Sequence, residues 1–131
     1  MARIILVEDD PTNARVAERV LARMGGHEVI VTEDGDEVLS RCVSHQVDLV
    51  VMDISLANTQ VCGEAVDGVR LTQLIREQCE GDGPPVLVLT AHAMRGDRGR
   101  LLEASGADDY IAKPIVDHQE LVDRVSRLLL A

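Results

Sequence analysis

The sequence predicts an α/β fold: a doubly wound parallel sheet with helices on both faces. Three observations carry this. Five short apolar runs recur along the chain, each uninterrupted by charge. Helical stripes of apolar residues separate them. Acidic, hydroxyl and basic residues gather immediately behind the runs. Continuous apolar runs of four or so residues suit strands that are covered on both faces, and strands that alternate with helices imply a parallel sheet.

The first run is Ile4 to Val7, and it ends in Glu8-Asp9-Asp10. Asp10-Pro11 is a good cap and first-turn pair for a helix whose stripe is Ala17, Val20, Leu21 and Met24, with Gly25 at its stop. Val29 to Val31 is the second strand, followed by the stripe Val38, Leu39, Cys42 and Val43. Leu49 to Met52 is the third, and it delivers Asp53 to its end. A long, proline-free segment then runs to Gly68, before a third stripe of Leu71, Leu74 and Ile75. The turn segment Gly81 to Pro85 introduces the fourth strand, Val86 to Leu89, which ends at Thr90. Leu101 and Leu102 mark a short fourth helix before Gly106; Gly96 and Gly99 each weaken it by ~1 kcal/mol relative to alanine. Tyr110 to Ala112 is the fifth strand, followed by Lys113-Pro114 and a long last helix carrying Leu121, Val122, Val125, Leu128 and Leu129. The expectation is five strands and five helices in one domain over residues 1–131.

The overall composition narrows the function. The net charge is −10, from 23 acids against 13 basic residues, a surface that repels nucleic acid. No apolar stretch approaches the ~20 residues of a membrane helix, and the N-terminus reads as a strand rather than a signal peptide. The three cysteines, Cys42, Cys62 and Cys79, show no C-x-x-C spacing and fit apolar fillers in a reducing cytoplasm.

Ligands of open α/β sheets sit beyond the carboxyl ends of the strands where the order reverses. In the flavodoxin-like order 2-1-3-4-5, strands one and three are neighbours at that point. The chemistry is therefore expected just after Val7 and just after Met52. That is where the acids stand, with Thr90 and Lys113 closing the fourth and fifth strands. Two like charges 4 Å apart repel by ~4 kcal/mol at an effective dielectric of 20, so a cation must resolve the crowding. The Lys113 ammonium could do so, and so could a hard divalent metal such as Mg²⁺, which takes oxygen ligands.

The residues that carry these features make up a known pattern. V-E-D-D-x-x-N (Val7 to Asn13), V-V-M-D (Val50 to Asp53), L-T-A (Leu89 to Ala91) and G-A-D-D-Y-I-A-K-P (Gly106 to Pro114) resemble the receiver domain of bacterial two-component response regulators. The texture of Thr90 to Asp97 is similar to receivers of hybrid kinases and stand-alone phosphorelay regulators. The resemblance implies that Asp53 accepts a phosphoryl group from a histidine kinase or histidine phosphotransfer protein. It implies that Asp10, Asp53 and the Ser55 backbone carbonyl bind Mg²⁺, with Asp9 helping through a water. It further implies that Lys113 neutralises phosphoryl charge and that Thr90 hydrogen-bonds a phosphoryl oxygen. Tyr110, the only aromatic residue, would then rotate behind Thr90 and signal to a downstream protein through the face of helix four, strand five and helix five. The same resemblance makes Lys113–Pro114 a cis bond and lets His92 tune phosphoryl lifetime.

The chain departs from that pattern after the third strand. The family's D-x-x-(M/L)-P-x-x-(D/S)-G has Ala57 here in place of proline, and its Asp67-Gly68 arrives late. Residues Asn58 to Val66 are therefore an insertion, and Val61, Cys62, Ala65 and Val66 are expected to form a short apolar ridge at the rim of the site. Three other readings stand beside this one: a degenerate receiver, folded alike, that acts as an unphosphorylated interaction module, a receiver excised from a hybrid histidine kinase, and an aspartyl-phosphate hydrolase acting on small molecules. The last wants a second aspartate two positions after the nucleophile, where Ser55 stands.

Overall fold

The computed structural model describes residues 2–90, 97–113, 115 and 117–130. Ala91, His92, Gly96 and Pro114, with the expected cis bond, lie outside the described residues. In chain order the elements are β1 (Arg3–Val7), α1 (Pro11–Arg19) continued by a π-helical turn (Val20–Met24), β2 (Glu28–Thr32), α2 (Gly35–Val43), β3 (Leu49–Asp53), β4 (Gln60–Val61), β5 (Glu64–Ala65), α3 (Gly68–Gln78), β6 (Val86–Thr90), α4 (Asp97–Ser105), β7 (Asp109–Ala112) and α5 (His118–Leu130).

Five of these strands form one parallel sheet in the order β2-β1-β3-β6-β7, which is 2-1-3-4-5 once the short β4 and β5 are set aside. Side chains alternate across it with period two. Ile4, Leu6, Leu49, Val51, Leu87 and Leu89 pack against α1 and α5. Ile5, Val7, Val50, Met52, Val86 and Val88 pack against α2 and α3. Because neither face of β1, β3 or β6 meets water, neither needs polar residues, which is why their runs are continuous. Cys42 lies in the second cluster, where burial pushes its thiol up to about 12, so it is an inert filler. Among the described residues, no helix is long and apolar enough to cross a membrane.

The segment behind β3 folds as a hairpin. β4 and β5 pair antiparallel, Gln60 with Ala65 and Val61 with Glu64. The two residues between them, Cys62 and Gly63, both take positive φ, 51° and 82°. That is the geometry of a two-residue turn whose twist matches the strands, easy for Gly63 and costly for Cys62. The expected apolar ridge is not there. Val61 is buried and Val66 half-buried in the α2–α3 cluster, leaving only Cys62 and Ala65 of the four exposed. Burying a valine is worth roughly 1.5–3 kcal/mol, enough to turn the hairpin's apolar side inward.

Val61 and Ala65 should therefore respond differently to the same charge. Val61→Asp should cost ~2 kcal/mol or more in urea unfolding, while Ala65→Asp should stay within ~0.5 kcal/mol of the parent. Equal and small effects would mean that the hairpin is not part of the core.

Candidate functional site

Register alone brings four side chains together. Val7 pairs with Met52, Asp53 with Leu89, and Thr90 with Ala112. Glu8, Asp53, Thr90 and Lys113 thus end, or directly follow, four adjacent strands at the carboxyl edge of the sheet. Alternation then sorts them by face. Glu8 continues Ile4 and Leu6, Asp53 continues Leu49 and Val51, and Lys113 follows Ile111, all on the α1–α5 side. Thr90 continues Val86 and Val88 toward the α2–α3 side, where Tyr110 packs half-buried, diagonal to it across the β6–β7 pair.

The charged three meet directly. Lys113 Nζ donates to Asp53 Oδ1 at 2.9 Å and to Glu8 Oε2 at 3.1 Å. Glu8 and Asp53 are 5% and 3% exposed. Removal from water, together with the neighbouring Asp53 carboxylate, raises Glu8 above the usual carboxylate range, against the Asp10 N–H and Lys113 that pull it down. For Lys113, burial by itself disfavours the charge. Hydrogen bonds to Asp53 and Glu8 outweigh it and leave the ammonium held above its ordinary value. The Ser55 N–H donates to Asp53 Oδ1 at 3.1 Å, and the Lys113 N–H to the Thr90 carbonyl at 2.8 Å. Ser55, Asn13, Val16 and Lys113 line a cavity of about 450 Å³ beside Glu8.

The structure seats one expected ligand elsewhere. The Asp10 carboxylate caps α1, accepting the N–H groups of Thr12 at 2.9 Å and Asn13 at 3.3 Å, and it lies exposed. Among the described residues, the carboxylates that gather are Glu8, Asp9 and Asp53, one oxygen of each lying within 4.8 Å of the others. The physical reason is the alternation that points Glu8 the same way as Asp53, while the exposed start of α1 claims Asp10. Two signals for this were present in the sequence: the period-two run Ile4, Leu6, Glu8 and the Asp10-Pro11 cap. The donor set suits a hard cation, being all oxygen and carrying more negative charge than one ammonium offsets.

Gly68 explains the Asp-Gly pair that starts α3. A Cβ on it would stand 2.1 Å from the Asp53 carbonyl oxygen and 2.7 Å from the Ile54 Cα. Its N–H donates to the Ile54 carbonyl at 3.0 Å, and Asp67 caps the helix by accepting the Arg70 N–H at 2.8 Å. However long the segment behind β3, the chain must return with a glycine against the backbone of Asp53.

Lys113→Met removes the cation and keeps an unbranched side chain only one atom shorter. At pH 7 it should cost ~3 kcal/mol in urea unfolding without Mg²⁺, because Glu8 and Asp53 stay buried together. Lys113 pulls Glu8 down, so its loss raises Glu8 further above the unfolded value of 4.5; the added penalty is absent below 4.5, builds as pH rises from the parent's folded value toward the variant's higher one, and is complete above that. The deficit of the variant should therefore shrink toward acid. A deficit that is flat with pH would contradict this account of the pair.

A profile of the family described as "Response regulator receiver domain" matches residues 4–126. The chain is 35% identical over 112 residues to the polar-differentiation response regulator DivK of Brucella anthropi, which spans 86% of this chain and 84% of DivK. It is 33% identical over 127 residues to the signal transduction histidine-protein kinase BarA of Escherichia coli (strain K12), 97% of this chain but 12% of the kinase. The receiver domain of sensor histidine kinase PA1611 from Pseudomonas aeruginosa PAO1, solved with a magnesium ion coordinated in its active site cleft, superimposes with a TM-score of 0.80 at 34% identity, covering 99% of this chain and 98% of that one. The chain belongs to the receiver domain family of response regulators, a family of signalling domains in two-component systems.

Proposed function

We propose that residues 1–131 form one receiver domain, with 58–66 inserted, that accepts a phosphoryl group on Asp53. The observation that carries the reading is a buried carboxylate at the carboxyl edge of the sheet with an ammonium at 2.9 Å. The donor is a phosphohistidine on a histidine kinase or phosphotransfer protein. Lys113 and the Ser55 N–H hold Oδ1, so Oδ2 is the oxygen assigned to the attack. The O–P bond forms as the P–N bond breaks, and the electron pair leaves on the imidazole nitrogen. Lys113 then pairs with the added phosphoryl charge, and the Thr90 hydroxyl hydrogen-bonds one of its oxygens. Glu8, Asp9 and Asp53, with the Ser55 carbonyl, would hold Mg²⁺. Bound there, Mg²⁺ supplies positive charge to the phosphoryl oxygens.

Output passes by protein contact through α4, β7 and α5. Thr90 and Tyr110 share a face of the sheet, so a pull on Thr90 is felt where Tyr110 packs. Arg124 on α5 donates to both oxygens of Asp109, at 2.8 and 2.9 Å, and so ties that helix to the start of β7. The net charge of −10 supports a protein partner rather than nucleic acid. Three unpaired cysteines support a cytoplasmic setting.

Incubation with Mg²⁺ and acetyl phosphate should add one base-labile phosphoryl group, and Asp53→Asn should abolish it. Equal labelling of Asp53→Asn and parent would overturn the assignment.

A further inference from the structure

A line of contacts runs from the acidic site to the start of α2 along a segment that contributes no side chain to the chemistry. At the site, Asp9 Oδ2 accepts the Ala57 N–H at 2.7 Å. Asp9 is half-buried and is one of the three carboxylates that gather there. Ala57 leads into the hairpin, whose base is closed by the Val66 N–H donating to the carbonyl of buried Thr59 at 3.0 Å. At its far end, the Asp36 carboxylate accepts the Cys62 N–H, with its two oxygens at 3.1 and 3.3 Å. Gly35 permits this approach: a Cβ there would lie 2.6 Å from the Gln60 carbonyl oxygen and 2.7 Å from the Val61 side chain. A two-stranded ribbon is marginal by itself in water, so its position depends on these anchors.

We propose that Asp36 is a positioning residue of the acidic site: by holding the hairpin on α2 it sets where the Ala57 N–H stands, and so how Asp9 faces a bound cation. The proposal rests on the Mg²⁺ reading above. A hydrogen-bond partner that orients a ligating carboxylate typically changes metal affinity by roughly tenfold or more, and Asp36 acts one step further out. Its influence travels through the backbone of residues 57–62, which separates it from a bulk electrostatic effect.

The test is a Mg²⁺ titration of the full chain followed by backbone amide shifts, on the parent, Asp36→Ala, Asp36→Asn and Gly35→Ala. Asp36→Asn loses the charge and keeps an acceptor oxygen; Asp36→Ala loses both; Gly35→Ala keeps the charge and pushes the hairpin away. Amide dispersion in β1, β3 and β6 checks that each variant folds. Affinity should fall by about three- to tenfold in Asp36→Ala and Gly35→Ala and stay within about twofold in Asp36→Asn. In the parent, the Cys62 amide should saturate at the same Mg²⁺ concentration as those of Asp9 and Asp53. Asp36→Asn binding as weakly as Asp36→Ala would make the effect one of charge and overturn the proposal. So would parental affinity in an Asp36→Ala whose Cys62 amide shows the hairpin released. If the parent shows no saturable shift at Glu8, Asp9 and Asp53, the Mg²⁺ reading itself fails and takes the proposal with it.

Discussion

The ammonium of Lys113 reaches Glu8 and Asp53 at once, and much of the molecule is arranged around that contact. Two carboxylates withdrawn from water repel each other, and an ammonium between them offsets part of that repulsion. The contact demands that the ends of β1, β3 and β7 lie level, although they are far apart in sequence. Only the reversal of strand order sets β1 beside β3, and only the intervening β6 brings β7 within reach. Burial first, and the neighbouring Asp53 second, raise Glu8, and the three carboxylates together still exceed what one lysine can neutralise. That imbalance makes the edge of the sheet ready for a second cation.

The hairpin adds a constraint of a different kind. A long segment behind β3 could have hung loosely over the site, since a longer loop costs little entropy. Here Leu56 and Val61 are buried, the Cys62 N–H is held by Asp36, and Gly68 brings the chain back against Asp53. The rim of the site is built into the α2–α3 side of the core, so a change there is also a change in packing.

Much of this was legible in the sequence. Strands covered on both faces leave uninterrupted apolar runs, and in a doubly wound sheet the switch point locates the chemistry once the runs are numbered. Asp53 and Lys113 follow from that reasoning. Choosing between Glu8 and Asp10 required the face on which each side chain emerges. That depends on the pleat being carried one residue past Val7, and on the helix start that takes Asp10 as its cap. The hairpin was hidden for another reason. Strands of two residues give no alternation to read, and Cys62-Gly63 lacks the Asn-Gly signature because Asp36, distant in sequence, holds the turn. The apolar residues of that segment looked like an exposed ridge because the neighbouring surface of α2 and α3 cannot be seen from the chain itself.

The central claim is that, of the two carboxylates Lys113 contacts, Asp53 is the phosphoryl acceptor. Reduction of the labelled protein with borohydride, followed by peptide sequencing, reads it most directly, because an acyl phosphate is converted to an alcohol at the residue that carried it. The account predicts homoserine at position 53 and unmodified aspartate at positions 9 and 10. Conversion at Glu8, Asp9 or Asp10 in place of Asp53 would contradict it.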